Sequence, residues 1–269
     1  MPARQARTPF KFGPRPKPDW STTPIIPSTL PEDLEREIFE IAAESSQICA
    51  VNLTLVAKRV NIWITPILYR VLTFKHLRTC TYAASFLFKG HHVQEIYSTI
   101  GMTLLPCIHR FPNIKILILH GIYLDTSLIK KLTELPLLKE LWFQTRCLPG
   151  NFTPSITFPG LTHLGLFADP ILPSTFPSSS FPNLTHILVD LTLTIPLILS
   201  LLDTCLRLKV LLVTGGGSRD HGLDAIVKRF GRRDDRIVEF FLWNPKDRVI
   251  ERSLGILWAE AEHIVDARR

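Results

Sequence analysis

No Cys-x-x-Cys pair occurs in this chain, and its five cysteines, Cys49, Cys80, Cys107, Cys147 and Cys205, are odd in number and far apart. That pattern supports neither a disulfide framework nor a zinc knuckle, so reduced and mostly buried thiols are expected. Long apolar runs are also missing. The most apolar stretch, 195–213, is interrupted by Asp203, Arg207 and Lys209, which argues against a membrane span. The first residues carry charge and proline where a secretory signal needs an apolar core, so a cytoplasmic or nuclear protein is expected. Neither Gly-x-Gly-x-x-Gly nor Gly-x-Ser-x-Gly is present. Gly217 and Gly222 have phosphate-loop separation, but Leu223-Asp224 stands where Lys-Ser/Thr is required, so the glycine run at 215–217 reads as a turn. No catalytic residue and no cofactor is predicted.

Apolar residues are plentiful: 46% of 269 residues are hydrophobic, enough for one large or one elongated core. The formal charge of +7 is 31 basic against 24 acidic residues, and Arg4, Arg7, Lys11, Arg15 and Lys17 fall in the first 17 positions. A basic excess held partly in an irregular tail gives weak, salt-sensitive attraction to anions and does not argue for a nucleic-acid site. The later cluster Lys228, Arg229, Arg232, Arg233 and Arg236 is offset by Asp234 and Asp235. It reads as a solvated helix end.

Four segments follow from pattern. Residues 1–27 hold seven prolines and little apolar periodicity, so they form a leader unable to offset the entropy of ordering. Residues 28–68 are helical. Pro31 suits a first helical turn, Glu32, Asp33 and Glu35 complement its dipole, and Leu34, Ile38, Ile41 and Ala42 keep helical spacing. A second helix is predicted over 48–60 and a third around Trp63, Ile64 and Ile67. Residues 69–245 contain a repeat, and 246–269 a terminal helix closing the last repeat, with Leu254, Leu257, Trp258 and Ala261 at helical spacing.

The repeat shows when segments are aligned. Phe111-Pro-Asn-Ile-Lys-Ile-Leu-Ile-Leu119 matches Leu135-Pro-Leu-Leu-Lys-Glu-Leu-Trp-Phe143, Phe158-Pro-Gly-Leu-Thr-His-Leu-Gly-Leu166 and Phe181-Pro-Asn-Leu-Thr-His-Ile-Leu-Val189. Segments beginning at Cys205 and Asp234 continue it more weakly. Successive starts differ by 24, 23, 23, 24 and 29 residues (135 − 111, 158 − 135, 181 − 158, 205 − 181, 234 − 205). One short strand and one helix per repeat predict an α/β solenoid with a parallel sheet, each unit burying its apolar side against its neighbours.

This repeat resembles the leucine-rich-repeat family in an irregular form with helices on the convex side. The family's Asn or Cys, eight residues after the first Leu, is replaced here by Ile122, Arg146, Asp169, Thr192 and Gly216. Ahead of it, Leu30-Pro31-Glu32-Asp33-Leu34, Ile38-Phe39, Leu55-Val56-Ala57-Lys58-Arg59, Trp63 and Leu68-Tyr69-Arg70 resemble the F-box-like motif as fungi use it before degenerate repeats. The small residue before Lys58 is Ala57, where that family more often has Ser or Cys.

The resemblance implies a non-enzymatic substrate receptor of a cullin-RING (SCF-type) ubiquitin ligase, monomeric outside its complex. Leu30, Pro31, Leu34, Ile38 and Val56 would face the ligase's adaptor subunit, unless they merely cap the solenoid core. The repeats would hold a protein target of unknown identity. The alternative is a repeat scaffold for protein or peptide binding unconnected to ubiquitin transfer.

If Leu117, Leu141, Leu164, Ile187, Leu211 and Phe240 point into the core, the residues flanking them form the concave face. Glu140, Trp142, His163, Phe167, His186, Phe241 and Trp243 are the expected partner-binding residues there. The same face would be buried if the C-terminal segment folded over it. Glu140, His163 and His186 stand on neighbouring strands, but no fourth ligand is evident, so no metal is predicted.

Overall fold

The computed structural model describes residues 30–74, 89–98, 105–119, 126–144, 156–167, 176–190, 195–214, 234–240 and 254–269. The predicted leader, the 215–217 glycine turn, the basic residues 228–233, and Phe241 and Trp243 lie outside them.

Three helices come first: α1 (Glu32–Ser45), α2 (Gln47–Leu53) and α3 (Lys58–Leu68). Ser46 separates α1 from α2 and caps the latter, its hydroxyl accepting from the Cys49 amide at 3.1 Å. The single helix predicted over 48–60 is in fact broken. Residues 54–56 turn, Ala57 is extended (φ −156°, ψ 157°), and Lys58-Arg59 open α3 instead of closing α2. Two cations at a helix N-terminus oppose its dipole, and Arg59 is compensated by Glu35 of α1 at 2.7 Å. Phe39, Ala43, Ala50, Val60, Trp63 and Ile64 close a small core among the three helices.

Eight strands follow in one sheet, all parallel and in chain order β1 to β8: Val71–Phe74, Glu95–Ser98, Ile116–Leu119, Glu140–Gln144, His163–Phe167, His186–Asp190, Val210–Thr214 and Ile237–Phe240. Helices α4 (Thr126–Thr133) and α5 (Ile195–Thr204) sit in two of the crossovers, and short 3₁₀ turns at Leu105–Arg110 and Ser178–Ser180 serve others. Leu128, Ile129 and Leu132 of α4 and Leu197, Ile198 and Leu201 of α5 join Leu117, Leu141, Leu164, Ile187 and Leu211 in the main core on one side of the sheet.

The motif's Pro is explained by a β-turn that recurs before the strands. The amide of the fourth residue bonds the carbonyl of the first at residues 90–93, 111–114, 135–138, 158–161, 181–184, 205–208 and 234–237, at 3.0 to 3.4 Å. Pro112, Pro136, Pro159 and Pro182 occupy the second position, where a fixed φ favours the turn. Asn113 donates to the His91 carbonyl (2.6 Å) and Asn183 to the Pro159 carbonyl (2.8 Å), so third-position amides tie one turn to the preceding one. Asparagine therefore links repeats here from the turn.

β1 and β2 extend the repeat towards the N-terminus, where the motif is disguised. Gly90 occupies the place of Phe111, and Ser98 that of Leu119. A Cβ on Gly90 would lie 2.3 Å from the Arg110 carbonyl oxygen, so the repeat packs too closely there for the usual aromatic. The last repeat departs differently. Its turn begins at Asp234, but the strand starts on the turn's own last residue, pairing Leu211 with Ile237 and Thr214 with Phe240. The predicted Leu211–Phe240 alignment is thus off by three residues, because Ile237, the last residue of the turn, already pairs with Leu211, whereas in the preceding repeats the equivalent position lies three residues beyond the turn.

Candidate functional site

Two surfaces were predicted to bind, and they differ in exposure. On α1, Leu34, Ile38 and Ile41 are 49%, 54% and 63% exposed. Their i, i+4, i+7 spacing lines them along one stripe, while Phe39 and Ala43 turn to the helical core. Leu30, Pro31 and Val56 are exposed as well, as are Ile48, Val51, Leu55 and Ile62. The three-helix core is complete without them. Val51 also lines a cleft of about 600 Å³ where α1 to α3 meet β1, with Ala43, Gln47, Ile67, Tyr69 and Val71 on its walls. Arg70 and Glu44 pair near it at 3.1 Å.

The second face of the sheet is not open. Helix α6 (Leu254–Asp266) lies on it, its Leu257, Trp258, Ala261 and Val265 packing with Tyr97, Ile118, Trp142, Phe167, Leu188 and Leu212 in a second apolar cluster. Glu140, Trp142, Phe167 and His186 are buried and His163 is partly so. Of the two outcomes left open by the sequence for this face, exposed or covered by the C-terminal segment, the covered one is found, so these five residues do not form an exposed surface. The terminal helix was expected to close the last repeat. It reaches β8 through Arg268, which donates to the Ile237 carbonyl at 2.6 Å, but it covers strand faces as far back as β4. An apolar sheet face and an amphipathic helix in one chain both lose water by meeting, and an indole removes about 150–250 Å² of surface from solvent when buried, roughly 4–6 kcal/mol.

Gly165 makes room at the centre. A Cβ there would lie 2.4 Å from the Trp142 ring, so the missing side chain on β5 lets the β4 indole lie across it. Trp142 then meets Phe167 (centroids 5.6 Å) and Trp258 (5.9 Å). Both indoles donate to one oxygen, Glu140 Oε1, Trp142 at 2.6 Å and Trp258 at 2.9 Å. Burial raises the Glu140 pKa and the Glu95 carboxylate adds to this, whereas the two indole donors oppose it. Tyr97, donating to Glu95 at 2.9 Å, is held well above the usual phenol range by burial and then by that charge.

Beside Glu140 the rings of His163 and His186 stack, with centroids 4.3 Å apart and planes 8° from parallel. Trp258 crosses both, at 5.2 and 5.5 Å. Each Nδ1 is 2.8 Å from the hydroxyl of the preceding threonine, Thr162 or Thr185, which explains the repeated Thr-His without a ligand. Burial lowers the His163 pKa to about 4, helped by His186. His186 is also lowered by burial, although Glu262 of α6, 3.0 Å from its Nε2, opposes this. Two neutral rings suit the stack. Among the described residues no three His, Cys, Asp or Glu side chains form a group able to hold a metal, and no helix is long and apolar enough to cross a membrane.

Sequence reasoning missed Tyr97, Trp258 and Glu262 as members of this cluster. Trp258 was visible at helical spacing, but spacing alone does not tell which face of the sheet a terminal helix covers. Comparison of the chain with family models and with curated proteins returned no match.

Proposed function

We infer that the chain is a two-ended recognition protein that acts by binding, with α1 to α3 as the docking end and the repeats as the end that holds a target. One observation carries this reading: Leu34, Ile38 and Ile41 form a bare aliphatic stripe on helices whose own core is already closed. Contiguous exposed apolar side chains are costly to keep in water and mark interaction sites. The stripe follows directly on Leu30-Pro31, the residues that carry the F-box-like resemblance. On that resemblance the docking partner is the adaptor subunit of a cullin-RING ubiquitin ligase, with Leu30, Pro31, Leu34, Ile38 and Val56 in contact. The eight parallel strands, with the crossover helices α4 and α5 on one side, support a leucine-rich-repeat-type solenoid behind it. The chain would act in the cytoplasm or nucleus, bringing a protein target to the ligase.

Purified full-length chain mixed with the adaptor subunit should co-elute as a 1:1 complex in size-exclusion chromatography. The double variant Leu34→Asp, Ile38→Asp should elute separately while keeping the parent's circular dichroism. Absence of association by the unaltered chain overturns the ubiquitin-ligase reading and leaves a repeat scaffold of other use.

A further inference from the structure

The second face of the sheet already has a ligand, and its contacts define what that ligand must be. Main core and second face are separate clusters on opposite sides of the sheet, so the strands and their pairing do not depend on α6 for the larger core. The receptor features are on the strands. Glu140 is held by Trp142 of its own strand, Gly165 seats that indole, and Thr185 orients His186. What α6 adds is one N–H at Glu140 from Trp258, one carboxylate at His186 from Glu262, and the apolar side chains of Leu257, Ala261 and Val265 between and beyond them.

Trp258 and Glu262 are four residues apart, one helical turn, and Ala261 between them is fully buried. A small residue is needed there because the helix backbone approaches the sheet closely. We propose that this face is a helix-binding groove, occupied within the chain by α6, and that the target presents an amphipathic helix of the same pattern, Trp-x-x-Ala-Glu-x-x-Val, which displaces it. Such recognition is helix-in-groove, with anchors at i, i+3, i+4 and i+7. It rests on the reading of the repeats as the recognition end and supplies the class of target. Competition with α6 would keep the aromatic face covered until a matching helix is present, at the cost of multiplying the target's affinity by the small fraction of chains in which α6 is displaced.

The test uses full-length chain and a mass-tagged, fluorescent peptide of residues 254–269, with a second peptide carrying alanine for Trp258. The adaptor is absent, so the outcome is independent of docking through α1 to α3. Titration is run on the unaltered chain, on Trp258→Ala and on Glu262→Ala, the last removing only a partly exposed carboxylate so that folding is retained. The native-pattern peptide should bind at least about tenfold more tightly to Trp258→Ala than to the unaltered chain, and the alanine peptide at least about tenfold more weakly than the native one. Glu262→Ala should fall between. In hydrogen exchange of the unaltered chain, saturating peptide should speed exchange of α6 and leave β6 and β7 protected. No binding by any of the three proteins, or equal binding of both peptides, overturns the proposal.

Discussion

The two apolar faces of this molecule were marked by similar residues, yet one is bare and the other covered. On α1 the aliphatic stripe is about half exposed, and the helices beneath it are already packed. On the sheet, richer in aromatics, the face is sealed by a helix from the same chain. The difference teaches that apolar character alone does not locate a docking surface in a repeat protein. What decides is whether the chain carries a spare amphipathic element with matching polar groups, as α6 does through Trp258 and Glu262. No described element plays that part for Leu34 and Ile38.

Substitutions and pH can break or sharpen this contrast. Trp142→Ala removes a fully buried indole and one of the two donors to Glu140, and should cost about 3–5 kcal/mol in denaturant unfolding, with adaptor association kept in the folded protein. Acid should act on the covered face next. Both histidines have folded pKa values below their unfolded ones, so the folded state takes up fewer protons. Stability should be full above about pH 6.5 and fall as pH drops towards 4, on the order of 3 kcal/mol for His163. Glu140, opposite His163 on the neighbouring strand, Lys209 and Glu262 are the ionisable groups next to the pair, and the raised Glu140 pKa contributes with the opposite sign. Comparing the parent with His163→Gln isolates the histidine contribution, and the variant should show a flatter pH profile between 6.5 and 4. An equally steep profile would remove His163 from the account.

Gly165→Ala should cost about 1–3 kcal/mol, because its methyl would force the Trp142 ring from its seat; near-ultraviolet circular dichroism should report the moved indole. The smallest stability change belongs to the bare face. Leu34→Asp with Ile38→Asp should shift unfolding by less than about 0.5 kcal/mol each and still abolish docking. A loss of several kcal/mol would mean that these residues close a core, and the contrast between the two faces would collapse.

Much of the sheet was legible because its signal is local and periodic. The Pro-containing turn and alternating apolar residues recur at 23 to 24 residues, and strands β3 to β7 pair in that register. β2 was illegible because Gly90, at a point of close packing, and Ser98 replaced the marker residues, and β8 because its pairing begins three residues earlier relative to the turn. The bare stripe on α1 was readable from helical spacing. The break between α2 and α3 was not, since Leu55, Val56 and Ala57 carry neither proline nor glycine. The cover on the sheet depends on contacts such as Glu140 with Trp258, 118 residues apart, which no local pattern encodes.

Hydrogen exchange of the full-length chain with and without the adaptor subunit tests the two-ended reading most directly. It should show new protection confined to residues 30–62, with β4 to β7 and α6 unchanged. Protection on the strands instead, or none anywhere at saturating adaptor, would contradict it.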